Sequence, residues 1–267
     1  MKAYHNYFCQ IINTSYLRIA FNENNNRIKM YSATKAIVIS VLKYGDNSLI
    51  VKCFTQEFGV RSYLLQGVLS SKKTTLKPAL FQSFMQLELV VSNRNTGALE
   101  RIKEAKVAKI YQSAHTDIYK SSVVMFLSEI CSFVCVNEYA EPELYQFFEE
   151  KLSFFDENEF ISNFHLKFLI DLTRFLGFYP DISNEDNSFF SLEEGIFSHS
   201  DETKHSISGK ELIFFKDIIS SEYTDLYKVK SSKNERNILL SHILKYYQWH
   251  FPGFRKPKSL EVLQVLF

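Results

Sequence analysis

The sequence predicts an α+β protein, an N-terminal OB-fold β-barrel followed by an α-helical domain. Three observations predict it. Residues 34–68 fall into three short apolar, β-branched runs separated by turn formers. Beyond His115 the hydrophobic period lengthens from two to nearer four. Positive charge collects in the first part of the chain and negative charge in the rest.

Residues 35–43 make the first predicted strand, and Tyr44-Gly45-Asp46-Asn47 breaks it. Residues 48–55 resume the strand, Gln56-Glu57-Phe58-Gly59 breaks it again, and residues 61–68 form the third. Residues 69–78 are polar and carry Lys72, Lys73 and Lys77; Pro78 has no N–H for a strand ladder, so this segment is a predicted loop. In residues 80–91, Leu87, Leu89 and Val91 alternate with Glu88 and Val90, the pattern of a fourth strand. Asn93-Arg94-Asn95-Thr96-Gly97 is a turn, and residues 99–111 alternate once more as a fifth strand or a strand running into a helix.

The helical signals follow. Val123, Phe126, Leu127, Ile130 and Val134 share one helical face. Pro142 opens a second helix striped with Leu144, Phe147, Phe148 and Leu152. Residues 160–178 carry Phe164, Phe168, Leu172 and Phe175 at helical spacing and close at Gly177 and Pro180. Residues 181–208 read as polar and irregular. Residues 210–221, 234–249 and 259–267 complete the predicted helices.

At 267 residues the chain has room for one large domain or two ordinary ones, and 25 Phe within 46% apolar content supply an ample core. No apolar run approaches the roughly 18 residues of a membrane span. Four scattered cysteines (Cys9, Cys53, Cys131 and Cys135) make no disulfide framework, which points to a reduced, cytoplasmic compartment. Residues 1–29 read as an extension, disordered or not native, with Met30 as the start of the barrel; an extra strand or helix on the barrel is the alternative. The barrel is then expected over residues 30–111 and the helical domain over 112–267.

The net charge of +1 conceals a strong polarity. Residues 33–110 carry twelve basic and five acidic side chains, whereas residues 111–267 carry fifteen basic and twenty-four acidic. A basic barrel before an acidic body points to phosphate as the barrel's ligand and protein as the body's. The candidate contacts are Lys72, Lys73 and Lys77 on the loop, Lys35, Lys43, Lys52 and Arg61 on the strands, and Arg94 on the last hairpin. Tyr44 and Tyr63 are candidate base-stacking rings, although aromatics in small barrels are more often core. A second basic group with interleaved aromatics lies late in the chain, around Lys245, Trp249, Arg255 and Lys256.

The catalytic signatures are missing: no Walker A, nucleophile elbow, His-Glu-x-x-His or Gly-rich dinucleotide turn occurs. Adjacent acidic pairs such as Glu149-Glu150 point about 100° apart on a helix and share no site. Cys131 and Cys135 lie on a predicted buried helix without a second thiolate pair, and His199 and His205 supply only two ligands, so no metal is expected.

Lys35-Ala36-Ile37-Val38, Tyr44-Gly45-Asp46-Asn47-Ser48-Leu49-Ile50-Val51, Phe54-Thr55, Phe58-Gly59 and Gly67 together resemble the start of the RecO family. Phe254-Arg255-Lys256-Pro257-Lys258-Ser259-Leu260-Glu261-Val262-Leu263 resembles its closing motif. The resemblance implies the barrel-plus-helix architecture over residues 32–267. It also implies a non-catalytic DNA repair and recombination mediator, cytoplasmic and nucleoid-associated. Such a protein would bind single- and double-stranded DNA, anneal complementary strands and assist recombinase loading. Its implied partners are RecR and the acidic, Phe-ended C-terminal tail of single-strand-binding protein, for which Lys245, Trp249, Arg255 and Lys256 are the candidate contacts. Some members hold zinc with four cysteines, in a place corresponding to residues 180–205 here, which contain none. The alternative from another class is a protein-interaction scaffold with a structural barrel.

Overall fold

A computed structural model describes residues 31–70, 76–92, 99–201 and 205–266. Two compact units divide between Lys109 and Ile110.

The first unit is a five-stranded antiparallel sheet built from β1 (Tyr31–Tyr44), β2 (Ser48–Thr55), β3 (Gly59–Leu65), β4 (Gln86–Ser92) and β5 (Ile102–Val107), in the order β3-β2-β1-β4-β5. The sheet curls until its edges meet. Tyr63 and Glu100 form a parallel bridge, with Leu64 N–H donating to Glu100 O at 2.8 Å and Glu100 N–H to Ser62 O at 3.2 Å. Closure of β3 on the approach to β5 gives the OB-like barrel. Inside it, Ala36, Val38, Val51, Cys53, Tyr63, Leu65, Leu87, Leu89 and Val91 form the core, with Phe81 completing it. The β1–β2 turn is Gly45-Asp46-Asn47, and Gly45 takes the left-handed backbone (φ 61°) that a three-residue hairpin loop needs.

β1 is longer than the predicted 35–43 and is broken by a bulge. Val38 pairs with Cys53 but Ser40 pairs with Lys52, which leaves Ile39 as the extra residue. The bulge inverts the alternation of the strand. Before it, even-numbered Ala36 and Val38 point into the core; after it, even-numbered Ser40, Leu42 and Tyr44 point out. The fourth strand begins at Gln86, not 80, because residues 78–80 form a 3-10 turn and Phe84 adopts a positive φ of 61°. Residues 102–107 stay extended and do not run into a helix.

The second unit contains α1 (Ile118–Val134), α2 (Pro142–Glu157), α3 (Phe164–Leu176), α4 (Gly209–Ser220), α5 (Lys233–His250) and α6 (Leu260–Leu266). α3 is its centre: every residue from Phe164 to Thr173 is buried. Phenylalanine rings make the surrounding core, with Phe155 stacked on Phe164 at 4.1 Å and Phe147 against Phe168 at 5.0 Å. Gly177, at φ 82°, ends α3 as a left-handed C-cap.

Residues 181–208 depart from the irregular connection expected of them. They form a small sheet, β6 (Phe189–Ser191), β7 (Phe197–Ser198) and β8 (Ser206–Ser208), in the order β7-β6-β8. Strands of two or three residues are too short to leave an alternating pattern. Phe190 anchors the sheet, with Phe215 at 4.8 Å, Phe197 at 4.9 Å and Tyr246 at 5.8 Å. Apolar rings thus hold the sheet together.

Candidate nucleic-acid interface

The outward side of β1–β2–β3 is buried at the row Ile37–Phe54–Val60, and register decides which of the remaining side chains meet solvent together. On β1–β2–β3 the outward rows run Ser40–Lys52–Ser62 and Leu42–Ile50–Leu64, with Tyr44 beside Ser48 at the hairpin end. Lys52 therefore sits between two hydroxyls. Lys43 is exposed at the same hairpin end, on the strand side opposite to Tyr44. On β1–β4–β5 the outward row is Lys35–Glu88–Lys106, a carboxylate between two ammonium groups. Lys35 is exposed but shares its row with that carboxylate.

Arg61 lies on the other side of β3. It pairs with Cys53, whose side chain is in the core, and its Nη1 donates to Val60 O at 3.2 Å. Tyr63 is 1% exposed, and burial pushes its hydroxyl well above the ordinary range, so this ring is core. Tyr44 is 55% exposed and remains a stacking candidate. Lys77 is exposed at the start of the 3-10 turn. Lys72, Lys73 and Arg94 lie outside the described residues.

Sequence reasoning missed the cations on and just before β5. Arg101, Lys103 and Lys106 are exposed, and Lys103 Nζ stands 5.0 Å over the Tyr31 ring. The alternation of residues 99–111 was the signal that could have found them.

In the helical unit, Lys245 and Trp249 are one turn apart on α5 and gather around one imidazole. Lys245 Nζ lies 2.5 Å from His205 Nδ1, the Trp249 and His205 rings are 5.8 Å apart, and Glu193 is 3.8 Å from His205 Nε2. Arg255 and Lys256 are exposed in the turn after α5, where neighbouring Phe254 packs on Phe133 and Tyr247. The four late candidates thus occupy two settings. Cys131 and Cys135 are buried, and no group of three or more His, Cys, Asp or Glu among the described residues is arranged to hold a metal ion.

The buried polar clusters of the helical unit hold backbone. Asp156 accepts from the N–H groups of Gln112, Ser113 and Ala114 at 2.8–2.9 Å, and Lys120 Nζ donates to Asp156 O, Asn158 O and Ser113 Oγ. Burial works to raise the Asp156 carboxyl, but these amides and the Lys120 charge outweigh it and hold it below the usual carboxylate range. Glu129 does the same for α6. It accepts from Lys258 N–H and Ser259 N–H, both at 2.9 Å, and from Ser259 Oγ.

A closed five-stranded barrel with an ordered apolar core and cations on its outer rows, followed by a helical unit, defines an architecture of the OB class. The comparisons narrow the class. The family model "Recombination protein O N terminal" matches residues 30–111, and "Recombination protein O C terminal" matches residues 115–261. A protein of Christiangramia forsetii is 43% identical over 234 residues, covering 88% of this chain and 98% of the relative. One of Flavobacterium psychrophilum is 43% identical over 241 residues, covering 89% and 100%, and one of Phocaeicola vulgatus is 34% identical over 242 residues with the same coverage. Each carries the name DNA repair protein RecO. The chain belongs to the RecO family.

Proposed function

We propose that this chain is a non-catalytic DNA repair and recombination mediator that binds single- and double-stranded DNA and anneals complementary single strands. With RecR it assists recombinase loading on strands coated by single-strand-binding protein, and it acts in the cytoplasm at the nucleoid. The observation that carries the reading is the basic, OB-like barrel in a chain matched by both halves of the RecO family. The mechanism is electrostatic. Two strands repel through their phosphates, and cations on a barrel screen that repulsion while each strand keeps its bases available.

Lys52, on the outward row of the β1–β2 hairpin, is the contact best supported by register; Lys35, Lys43, Arg61, Lys72, Lys73, Lys77 and Arg94 complete the proposed set. Lys245 and Trp249, with Arg255 and Lys256 nearby in sequence, are the proposed contacts for the acidic tail of single-strand-binding protein, since cations beside apolar rings suit a Phe-ended acidic peptide.

The test is strand annealing with one strand pre-coated by its cognate binding protein. Acceleration over the uncatalysed rate is expected, together with loss of acceleration when Lys72, Lys73 and Lys77 are changed to Glu. A wild-type protein that neither binds the strands nor speeds their pairing would leave the scaffold alternative in place.

A further inference from the structure

The barrel closes at one point and leaves a strand edge open beyond it. Glu100 takes the closing hydrogen bonds to Ser62 and Leu64, and β5 then runs on with β4 as its strand neighbour. Ala108 N–H donates to Gln86 O at 2.9 Å. Along the same ladder Lys106 and Glu104 therefore turn their backbone groups to β4, whereas Ala105 and Val107 turn theirs away. Among the described residues no hydrogen bond reaches the backbone of Ala105 or Val107 on that outer side. An open row of N–H and C=O groups is a template for another strand. Lys103, Glu104, Lys106 and Val107 along it are exposed, and Ala105 lies half-buried against the barrel core at its middle.

We propose that this edge pairs with the same edge of a second copy of the chain, antiparallel about a two-fold axis at Ala105, joining two five-stranded sheets into one. Charge selects this occupant and this register. With Ala105 opposite its own copy, the two exchange N–H···O bonds, and Glu104 stands directly opposite Lys106 of the other copy, twice over by symmetry. Opposite charges facing each other across strands are favourable and like charges unfavourable. A register centred on Glu104 would set that carboxylate against itself, and one centred on Lys106 would set two ammonium groups together. Within one copy Glu104 has an exposed contact to Lys103 at 3.7 Å, weak in water, and Lys103 itself stands over the Tyr31 ring. Lysines on an edge commonly ward off strand addition; here Glu104 and Lys106 make the edge complementary to itself. The strand is six residues long, so the contact falls below the size of a standard interface, and a dissociation constant between about 1 µM and 1 mM is expected. Two barrels joined this way set two cation-bearing surfaces side by side, which suits the pairing of two nucleic-acid strands; that consequence rests on the nucleic-acid reading above, and the self-association does not.

Analytical ultracentrifugation of the full chain at about 0.15 M salt, where distant barrel charges are screened, reads the self-association. Wild type is expected to pass reversibly from monomer to dimer as concentration rises through the range above. Glu104→Lys alone and Lys106→Glu alone each set like charges opposite one another and should weaken self-association about tenfold or more. An equimolar mixture of the two should recover it as a heterodimer, because each lysine of one then faces a glutamate of the other. Recovery in the mixture also shows that both variants fold. Ala105→Pro removes an outward N–H, leaves the ladder to β4 intact and should abolish the dimer. Wild type that stays monomeric to the top of that range, single variants that dimerise like wild type, or a mixture that stays monomeric would each overturn the proposal. DNA binding is scored separately: dimers that do not bind DNA would remove the nucleic-acid reading and leave this interface, and monomers that bind DNA would remove the interface alone.

Discussion

In the helical unit, buried charged side chains hold backbone: Lys120 and Asp156 gather residues 112–114 and 158, Glu129 caps α6, and Lys167 donates to Ile219 O at 2.9 Å. In the barrel, the bonds that close the structure run backbone to backbone at Tyr63 and Glu100, while Lys35, Lys43 and Lys77 stay exposed. The same side-chain types thus serve folding in one unit and remain presented to solvent in the other. Net charge alone does not reveal this, because the overall acidic unit is the one in which individual charges hold backbone.

The comparison can be broken most forcefully at Asp156. Replacement by Ala strands three backbone N–H groups and the partner charge of Lys120, which should cost about 3 kcal/mol or more. Chemical denaturation reads the loss, and a cost under about 1 kcal/mol would show the cluster to be dispensable.

Next comes His165, 1% exposed in the first turn of α3. Burial, with the Arg236 charge adding to it, lowers its imidazole from 6.5 to about 3. The unfolded chain takes up this proton below pH 6.5 and the folded chain does not until about pH 3, so stability present above 6.5 is lost as pH falls through that window. At pH 5 the loss amounts to about 2 kcal/mol relative to pH 7. In a His165→Leu variant the difference in unfolding free energy between those two pH values should shrink by about that amount; an unaltered difference would mean the imidazole is not held neutral.

Glu129→Gln sharpens the comparison with a smaller effect. Burial works to raise this carboxyl, but the Ser259 and Lys258 hydrogen bonds outweigh it and hold it low, so the charged form is the one that caps α6. Losing the charge while keeping the shape should cost about 1 kcal/mol, seen as a lower melting temperature at neutral pH that converges with wild type in acid.

Much of this was legible in the sequence. Turn formers at Tyr44–Asn47 and Gln56–Gly59 placed the first two hairpins, and the Phe164, Phe168 and Leu172 stripe located the central helix. What escaped depends on register or distance. The alternation of β1 gives no warning of the bulge at Ile39, so the outward turn of Leu42 and Tyr44 could not be read, and the pairing of Lys35 with Glu88 depends on a β1–β4 register that no local pattern sets. Arg61 counts as a barrel cation by composition, yet its strand position turns it toward the Cys53 side. Glu129 and Ser259 stand 130 residues apart, and no local pattern connects them.

The central claim, that the barrel presents cations to phosphate whereas the helical unit spends its charges on folding, is tested most directly by the salt dependence of binding to oligothymidine. Three proteins suffice: wild type, Lys43→Gln/Lys52→Gln/Lys77→Gln in the barrel, and Lys245→Gln/Arg255→Gln/Lys256→Gln in the helical unit. With about six phosphate contacts the wild-type log–log slope should be about −4, falling to about −2 when three are removed. The account predicts that shallower slope for the barrel variant and a slope within error of wild type for the helical-unit variant. An unchanged slope in the barrel variant, or the larger change in the helical-unit variant, would contradict it.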